Sequence, residues 1–247
     1  MPNLFVMAGP NGAGKSTTAK LILTGARSVE EFVNADVVQA ERGVSEIEAG
    51  RIVLRRLDEL TAQKRDMAFE TTLASAGLKS RIAAMREAGY LFHLIYVWLP
   101  AADVAVRRVA ARVRSGGHHI PEEVIRRRYG RSLDNFFNDY MPIADSWMMV
   151  DNSSRPLRWI AARDVGREIR VYDEALWKEL RNRHMTPPTA AKEEKAVARA
   201  AFTTEDLFAS ADEAVRQALK RHKELGQSIV IWRDGKIVTL KPEEIEV

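Results

Sequence analysis

The chain of 247 residues contains no cysteine and no apolar run that approaches the ~20 residues needed to span a bilayer. The absence of cysteine excludes disulfide bonds, cysteine nucleophiles and thiolate metal sites. The first residues form a strand pattern without a signal peptide before it, so we expect a cytoplasmic protein with no membrane contact. A strong excess of one charge sign is also missing, because the net charge is only +4 and much of it comes from arginines between residues 107 and 131. This distribution favours a local anion site over a nucleic-acid surface.

What the sequence does contain is a phosphate-binding loop. Residues 9–16 are Gly-Pro-Asn-Gly-Ala-Gly-Lys-Ser and match the pattern G-x-x-x-x-G-K-S/T, with an apolar strand pattern before the loop and a helical pattern after it. The glycines let backbone N–H groups curl round an anion, Lys15 can reach the outer phosphates, and the Ser16 hydroxyl can ligate Mg²⁺. The sequence therefore predicts ATP and Mg²⁺ as cofactors, with nucleotide contacts from Gly9, Asn11, Gly12, Ala13, Gly14, Lys15, Ser16 and Thr17.

Two further strand patterns end in polar residues. The first covers residues 30–36 and ends with Asn34 and Asp36, and the second covers residues 67–72 and includes Glu70 and Thr71. Ligands of open parallel sheets gather at the carboxyl ends of strands, so we expect these four residues to bind the substrate, and the two carboxylates suit a group that holds and deprotonates an acceptor. For Asp36 the alternative is an N-cap of the helix that follows.

The remaining patterns alternate between helix and strand. Helices are predicted over residues 45–64 and 78–89, and continuous hydrophobicity predicts a central strand over 90–99, where His93 is expected to be a core residue. A buried strand over 147–154 precedes an edge hairpin over 157–172 and a helix over 173–182. Together these elements indicate an α/β fold with a parallel sheet.

Two basic helical segments flank a pair of glycines. The first covers residues 103–115, the glycines are Gly116 and Gly117, and the second segment carries arginines between residues 126 and 131. Glycines can absorb the dihedral changes of a closing lid, and arginines can meet the charge of a transferring phosphoryl group. Most of these arginines are expected to lie on a solvated surface, with only two or three facing the nucleotide.

The composition changes after residue 183. We assign residues 1–183 to a P-loop kinase domain, residues 184–203 to a linker rich in proline, alanine and charge, and residues 204–247 to a small module. In that module a helical stripe from Leu207 onward precedes two short strand patterns around Arg233-Asp234-Gly235-Lys236, which predict a β-hairpin.

The motifs at residues 9–16, 34–36 and 69–72, the segment from Arg112 to Tyr129 and the Asp-Asn-Ser at 151–153 resemble the zeta-toxin family over roughly residues 1–180. The resemblance implies a P-loop NTPase with a five-stranded parallel sheet of the nucleoside-monophosphate-kinase type and a helical lid. It implies transfer of the γ-phosphate of ATP to a hydroxyl of UDP-N-acetylglucosamine, a nucleotide sugar. Asp36 would be the general base, Glu70 and Thr71 would hold the substrate, and Asn152 would lie near the adenine. Lys15, Arg112 and one of Arg127 or Arg128, with Arg128 preferred, would act on the γ-phosphate.

The C-terminal module is similar to small proteins encoded beside zeta-like kinases, which implies an antitoxin-like partner acting in cis or in trans. Two other functions stay open from the sequence. One is a kinase for another hydroxyl, such as a nucleoside or a nucleic-acid 5′ end, and the other is an ATP-dependent switch or binding protein. A kinase needs Asp36 as a base beside an acceptor hydroxyl, whereas a switch needs a positioned water.

Overall fold

The computed structural model describes residues 1–23, 29, 31–75, 77–114, 117–154, 156–186, 219–221, 223–226, 228–233 and 236–246. Its centre is a seven-stranded sheet in the order β2-β3-β1-β4-β5-β6-β7. The strands are β1 Asn3–Ala8, β2 Glu31–Val33, β3 Met67–Thr71, β4 Leu91–Trp98, β5 Ser146–Asp151, β6 Arg158–Arg163 and β7 Arg170–Val171.

The sheet is mixed. Strands β1 to β5 are mutually parallel, and β6 and β7 join them antiparallel at one edge. The prediction of a five-stranded parallel sheet is therefore wrong in the strand count. The hairpin expected over residues 157–172 is present, and because β6 pairs with β5 over residues 147–151 it extends the main sheet.

Helices cover both faces of the sheet, which explains why its central strands are apolar on both sides. The helices are α1 Lys15–Leu23, α2 Ala35–Arg42, α3 Glu46–Ala62, α4 Gly77–Glu87, α5 Ala102–Arg114, α6 Glu122–Asn135 and α7 Glu174–His184. Alternate residues of β1 enter two separate cores: Leu4 and Val6 pack with α3, α4 and α7, whereas Phe5 and Met7 pack with α1 and α5. The carboxyl ends of β1 and β3 consequently open toward one edge, where α1, α2 and α6 meet.

His93 lies inside the sheet, as the sequence predicts. Its ring stacks on Phe5, with 4.8 Å between the ring centroids. Nδ1 is 2.7 Å from the Ser146 hydroxyl and Nε2 is 3.1 Å from the Asn3 side-chain oxygen. Burial lowers the pKa of His93 to about 4, so the neutral ring is a satisfied core residue.

The carboxyl end of α6 is held firmly in the core. A π-helical turn, Phe136–Tyr140, continues α6, and its aromatic rings pack with Trp147 and Trp177. Asn135 donates from Nδ2 to the Leu73 carbonyl at 2.5 Å, which ties the end of α6 to the segment after β3. The C-terminal end of α6, the second arm of the predicted lid, is therefore joined to the core.

The first three residues assigned to the linker lie against the main domain. His184 contacts Asp134 at 2.7 Å, Met185 packs on the core, and the Thr186 N–H donates to the Asn138 side chain at 2.8 Å. The rest of the linker and the helix predicted from Leu207 as far as residue 218 lie outside the described residues.

At the C-terminus, residues 219–221 and 223–224 are helical, and β8 Ile229–Arg233 pairs antiparallel with β9 Lys236–Leu240. These strands stand where the hairpin was predicted, with Asp234 and Gly235 outside the described residues. Among the helices that the structure describes, none combines the length and apolarity required to cross a membrane.

Candidate active site

The loop between β1 and α1 is shaped by close backbone approaches. Gly9 has φ of 138°, and a Cβ there would lie 2.3 Å from the Val97 carbonyl oxygen. Gly12 and Gly14 also have positive φ, and a Cβ on Gly12 would lie 2.8 Å from the Ala105 carbonyl oxygen of α5. Only glycine fits these positions without displacing its neighbours. The loop therefore presents its backbone at the N-terminus of α1, where anions bind favourably.

Lys15 is the first residue of α1 and turns back into the loop. Its ammonium donates to the carbonyls of Gly9 at 3.0 Å and Pro10 at 3.1 Å. Ser16 and Thr17, which follow it, are exposed in the first turn. An incoming phosphate can therefore reach the Lys15 ammonium by replacing two carbonyl acceptors.

Four charged side chains influence the Lys15 ammonium electrostatically. Burial lowers its pKa, the carboxylates of Glu70 and Asp36 oppose that effect, and the guanidinium groups of Arg112 and Arg128 add to it. These four residues come from β3, α2, α5 and α6. The tertiary structure thus brings all four within electrostatic range of Lys15, although they are spread over 93 positions from Asp36 to Arg128.

A cleft of ≈ 340 Å³ opens beside Lys15. Its walls are the end of β3 with the following segment, the start of α2 and α3, and the inner face of α6. The lining residues are Asn11, Lys15, Asn34, Ala35, Asp36, Gln39, Glu46, Ala49, Glu70, Thr71, Thr72, Ala74, Ser75, His118, Ile120, Arg127, Arg128 and Arg131. The cleft therefore contains all four residues predicted to bind the substrate.

Asn34 and Asp36 have different structural positions. The buried Asn34 is the N-cap of α2, and its side-chain oxygen accepts from the Asp36 N–H at 2.8 Å and the Val37 N–H at 3.4 Å. The alternative of Asp36 as the N-cap is therefore wrong, and β2 ends at Val33, before both residues. Asp36 lies in the first turn of α2 with 56% of its side chain exposed, and its carboxylate is 3.7 Å from Arg112.

The segment after β3 carries the second carboxylate. One oxygen of Glu70, Oε2, is buried and has no hydrogen-bond partner among the residues that the structure describes. The Thr71 hydroxyl accepts from the Leu73 N–H at 3.1 Å, and Leu73 is a buried residue with φ of 54°. This left-handed conformation is uncommon for leucine and typical of functional segments. It turns the Leu73 carbonyl toward Asn135 and curves the segment along the cleft.

The lid arginines are partly engaged within the protein. Arg112 donates to the His118 carbonyl at 3.0 Å, and within the described part of the chain its buried Nε has no hydrogen-bond partner. Gly117 packs on the Arg112 side chain, whereas Gly116, the other glycine of the predicted hinge, lies outside the described residues. Arg128 contacts Glu46 at 2.9 Å across the cleft. Each arm of the predicted lid therefore carries an arginine that contacts a carboxylate of α2 or α3.

Asn152 supports the loop from below. Its buried Nδ2 donates to the Ala13 carbonyl at 2.6 Å, and a Cβ on Gly14 would lie 2.5 Å from the same nitrogen. Arg108 in turn donates to the carbonyls of Asn152 at 2.7 Å and Ser153 at 3.3 Å. Sequence reasoning did not single out Arg108, because nothing in the basic pattern of α5 distinguishes it from its neighbours.

The structure adds several polar residues to the site. Gln39, Glu46, Thr72, Ser75 and Arg131 line the cleft but were not among the predicted site residues. Thr72 is the last residue of the strand predicted over 67–72 and Ser75 follows it closely, so their place at a strand end could have identified them as site residues. Glu46 had none, because it reaches the cleft through the packing of α3 against α2.

The strand, glycine loop and helix, with a mixed sheet and a polar cleft at its carboxyl edge, define an α/β P-loop NTPase. A family model described as an AAA domain matches residues 4–132, and the chain belongs to that family.

A protein of Haemophilus influenzae (strain ATCC 51907 / DSM 11121 / KW20 / Rd), named only as an uncharacterized protein, is 28% identical over 123 residues, which are 49% of this chain and 88% of that protein. A chain of the AvrRxo1-ORF1:-ORF2 structure with ATP superposes with a TM-score of 0.58 at 16% identity, covering 88% of this chain and 76% of that one. The structure with sulphate ions gives a TM-score of 0.57 at 16% identity, over 73% of this chain and 63% of that one. These likenesses show the fold alone.

A chain of the PezAT chromosomal toxin-antitoxin system of Streptococcus pneumoniae gives a TM-score of 0.47 at 13% identity. A likeness at that level does not assign this chain to the zeta-toxin family, which its motifs resemble.

Proposed function

We propose that the chain is an ATP-dependent kinase that transfers the γ-phosphate to a hydroxyl of a small molecule. The observation that carries this proposal is that Lys15, Asp36, Glu70 and Arg128 line one cleft, with Arg112 3.7 Å from the Asp36 carboxylate. Phosphoryl transfer requires little covalent chemistry from the protein and depends on positioning and on neutralising charge. A fold neighbour solved with ATP supports a nucleotide at the loop.

The loop and Lys15 bind the phosphates in this proposal. The Lys15 ammonium exchanges the carbonyls of Gly9 and Pro10 for phosphate oxygens. The half-buried Asn11, whose Oδ1 has no hydrogen-bond partner in the described ranges, is available to the nucleotide from the loop. Asn152 holds the loop through its hydrogen bond to the Ala13 carbonyl. The resemblance also places Asn152 near the adenine.

The residues present fit Mg²⁺. Ser16 supplies an exposed hydroxyl in the first turn of α1, and Glu70, whose Oε2 has no hydrogen-bond partner among the described residues, supplies a carboxylate in the cleft beside Lys15. Hard oxygen ligands of this kind, one or two carboxylates together with substrate phosphates, suit Mg²⁺. When bound, the ion neutralises charge on the β- and γ-phosphates.

Asp36 is the proposed general base and Glu70 the group that orients the acceptor. The Asp36 carboxylate is exposed to the cleft and takes the proton of the acceptor hydroxyl, whose oxygen then attacks the γ-phosphorus. Arg112, 3.7 Å from Asp36, and Arg128 stabilise the charge on the transferring group. Asn34 and Thr71 line the same cleft and are proposed to hold the acceptor, for which the sequence resemblance gives a nucleotide sugar such as UDP-N-acetylglucosamine as one candidate to be tested.

The C-terminal hairpin is proposed to restrain the kinase as an antitoxin-like module. The support is the similarity of its sequence to small proteins encoded beside such kinases, and the separation of β8 and β9 from the main sheet. In cis the module would act on its own domain, and in trans on a second copy.

The test is transfer of labelled γ-phosphate from ATP with Mg²⁺ to a panel of hydroxyl compounds that includes UDP-N-acetylglucosamine. We expect Lys15→Ala to abolish transfer, and Asp36→Asn to lower kcat by about 10²–10⁴-fold because the general base is lost. Lys20→Ala, on α1 but away from the cleft, is the matched control. Label that appears only in inorganic phosphate, with the same rate in Asp36→Asn, would refute the kinase and favour a switch.

A further inference from the structure

We infer that the acceptor itself carries a phosphate group, bound by Arg127 and Arg131, and has the size of a single phosphorylated sugar or polyol. This inference rests on the proposed function and names the class of its substrate. It differs from a nucleotide sugar in size, and from a neutral sugar or nucleoside in charge. Four properties of the cleft support it: the ion pairs of α6, the place of the two arginines, the distribution of charge and the volume.

Helix α6 carries four arginines, of which two form ion pairs with described carboxylates and two do not. Arg126 contacts Asp103 at 2.6 Å and Glu122 at 2.7 Å, on the outside of the lid. Arg128 contacts Glu46 at 2.9 Å. Arg127 and Arg131 line the cleft, and within the described ranges neither forms an ion pair. Two exposed guanidinium groups thus face a polar cleft with their hydrogen-bond donors available.

The two arginines point to one ligand group. They are four residues apart on α6, so their side chains lie on the same face of the helix, about one turn apart. Asn135, one further turn along, is tied to the Leu73 carbonyl. Arg131 is therefore near the segment after β3, on the acceptor side of the cleft, whereas the nucleotide enters at Lys15.

Charge is divided between the two walls of the cleft. Asp36 and Glu70 lie on the wall built by α2 and β3, where they suit hydroxyl groups and repel a phosphate. Arg127 and Arg131 lie on the α6 wall, and their planar guanidinium groups can form paired hydrogen bonds with phosphate oxygens. The neutral hydroxyls of Thr72 and Ser75 also line the cleft, and the remaining carboxylate, Glu46, is paired with Arg128. An acceptor with hydroxyls at one end and a phosphate at the other matches both walls.

The volume limits the size of the acceptor. The cleft of ≈ 340 Å³ lies near the lower end of the range of about 300–1,000 Å³ for small-molecule pockets. Lys15 and Asn11 belong to the same cleft, so the γ-phosphate of ATP takes part of that space. The remainder suits one sugar or polyol with its phosphate, and the base and ribose of a nucleotide sugar would project beyond the cleft.

The reaction then yields a bisphosphate. The acceptor hydroxyl oxygen forms a bond to the γ-phosphorus, the bond from that phosphorus to the β,γ-bridging oxygen breaks, and ADP leaves. The hydroxyl proton passes to the Asp36 carboxylate. The phosphate on Arg127 and Arg131 is not cleaved and serves to orient the acceptor.

The test separates acceptor binding from phosphoryl transfer. The full chain is first saturated with the non-hydrolysable analogue AMP-PNP and Mg²⁺, followed by calorimetric titration with glucose 6-phosphate, glycerol 3-phosphate, glucose, glycerol and UDP-N-acetylglucosamine. We expect at least one phosphate ester to bind tenfold or more tightly than its neutral parent and more tightly than the nucleotide sugar. Arg127→Gln and Arg131→Gln should each remove most of that difference, and the control Arg126→Gln should preserve it.

Equal binding of esters and neutral parents would overturn the inference, as would loss of the difference in Arg126→Gln. Tighter binding of UDP-N-acetylglucosamine would overturn the size argument. These outcomes leave the kinase proposal standing, because AMP-PNP binding and Lys15-dependent transfer report on it separately. Failure of AMP-PNP to bind the wild-type chain would refute the proposed function, and this inference with it.

Discussion

Replacing Asn152, which follows β5, tests whether its hydrogen bond orients the backbone of the phosphate loop for ATP binding. The Nδ2 of Asn152 donates to the Ala13 carbonyl at 2.6 Å in a buried environment. In a trans peptide the C=O and N–H groups point in opposite directions, so this hydrogen bond directs the Gly14 N–H away from Asn152. The N–H then faces the side on which a phosphate binds. We predict that Asn152→Ala weakens ATP binding without removing any group that contacts the nucleotide phosphates.

The magnitude follows from the buried hydrogen bond. Leaving a buried acceptor such as the Ala13 carbonyl unsatisfied costs about 1–3 kcal/mol. If that cost falls on the binding-competent loop, the Kd for ATP rises roughly 5- to 150-fold, since about 1.4 kcal/mol corresponds to a factor of ten. Asn152→Asp should weaken binding further, because it keeps the shape but places a carboxylate against a carbonyl oxygen.

The assay is calorimetric titration with ATP and Mg²⁺, together with chemical unfolding of each variant. Asn138→Ala is the control, because its Nδ2 also donates to backbone carbonyls, Asp134 at 2.7 Å and His184 at 2.8 Å, far along the chain from the loop. We expect this control to lose stability and to keep its ATP affinity. Wild-type affinity in both Asn152 variants would refute the argument that this side chain orients the loop.

Three other predictions concern the core, the loop and the tail. Gly14→Ala should strongly reduce ATP binding, because φ is 83° and the new Cβ would meet Asn152. Gly130→Ala is the matched control inside α6, where the new Cβ would meet no described atom within 4 Å beyond its own helix backbone, and it should raise stability by about 0.5–1 kcal/mol. Thermal unfolding and ATP titration check both variants. Because the pKa of His93 is about 4 in the folded chain and about 6.5 unfolded, stability should fall by about 3 kcal/mol as the pH drops from 6.5 to 4, and a urea unfolding series in which His93→Gln shows the same pH dependence would contradict this. A chain ending at Thr186 should transfer phosphate faster than the full chain if the tail restrains the kinase; equal rates at equal concentration would exclude restraint.

The local elements were readable from the sequence because each depends on nearby residues. The loop at 9–16 has positive φ at Gly9 and Gly14, and the G-x-x-x-x-G-K-S/T pattern places glycine at these positions, so the loop could be predicted from the sequence. The continuous apolar run of β4 indicated a strand covered on both faces, and His93 has the buried partners expected of a core residue. The edge hairpin was also predicted, although its addition to the main sheet depended on pairing with β5 and changed the strand count.

The motifs alone indicated which residue types belong to the site, and the tertiary structure decided how they meet. Asp36 and Arg112 are far apart in the chain, yet the fold places the end of α5 beside the start of α2, so their side chains are 3.7 Å apart. The assignment of Asn34 as the cap of α2, with Asp36 free for the cleft, depended on backbone geometry that the sequence pattern does not specify.

The sequence by itself determined the phosphate loop, the α/β class and the supply of carboxylates and arginines for the site, since these depend on local periodicity and composition. Only the tertiary structure decided that Arg126 and Arg128 form ion pairs, while Arg127 and Arg131 face the cleft and form none with the described residues. All four are arginines of one helix, so the sequence pattern does not distinguish them. Their roles differ because a carboxylate from another part of the fold lies opposite some of them and not opposite the others.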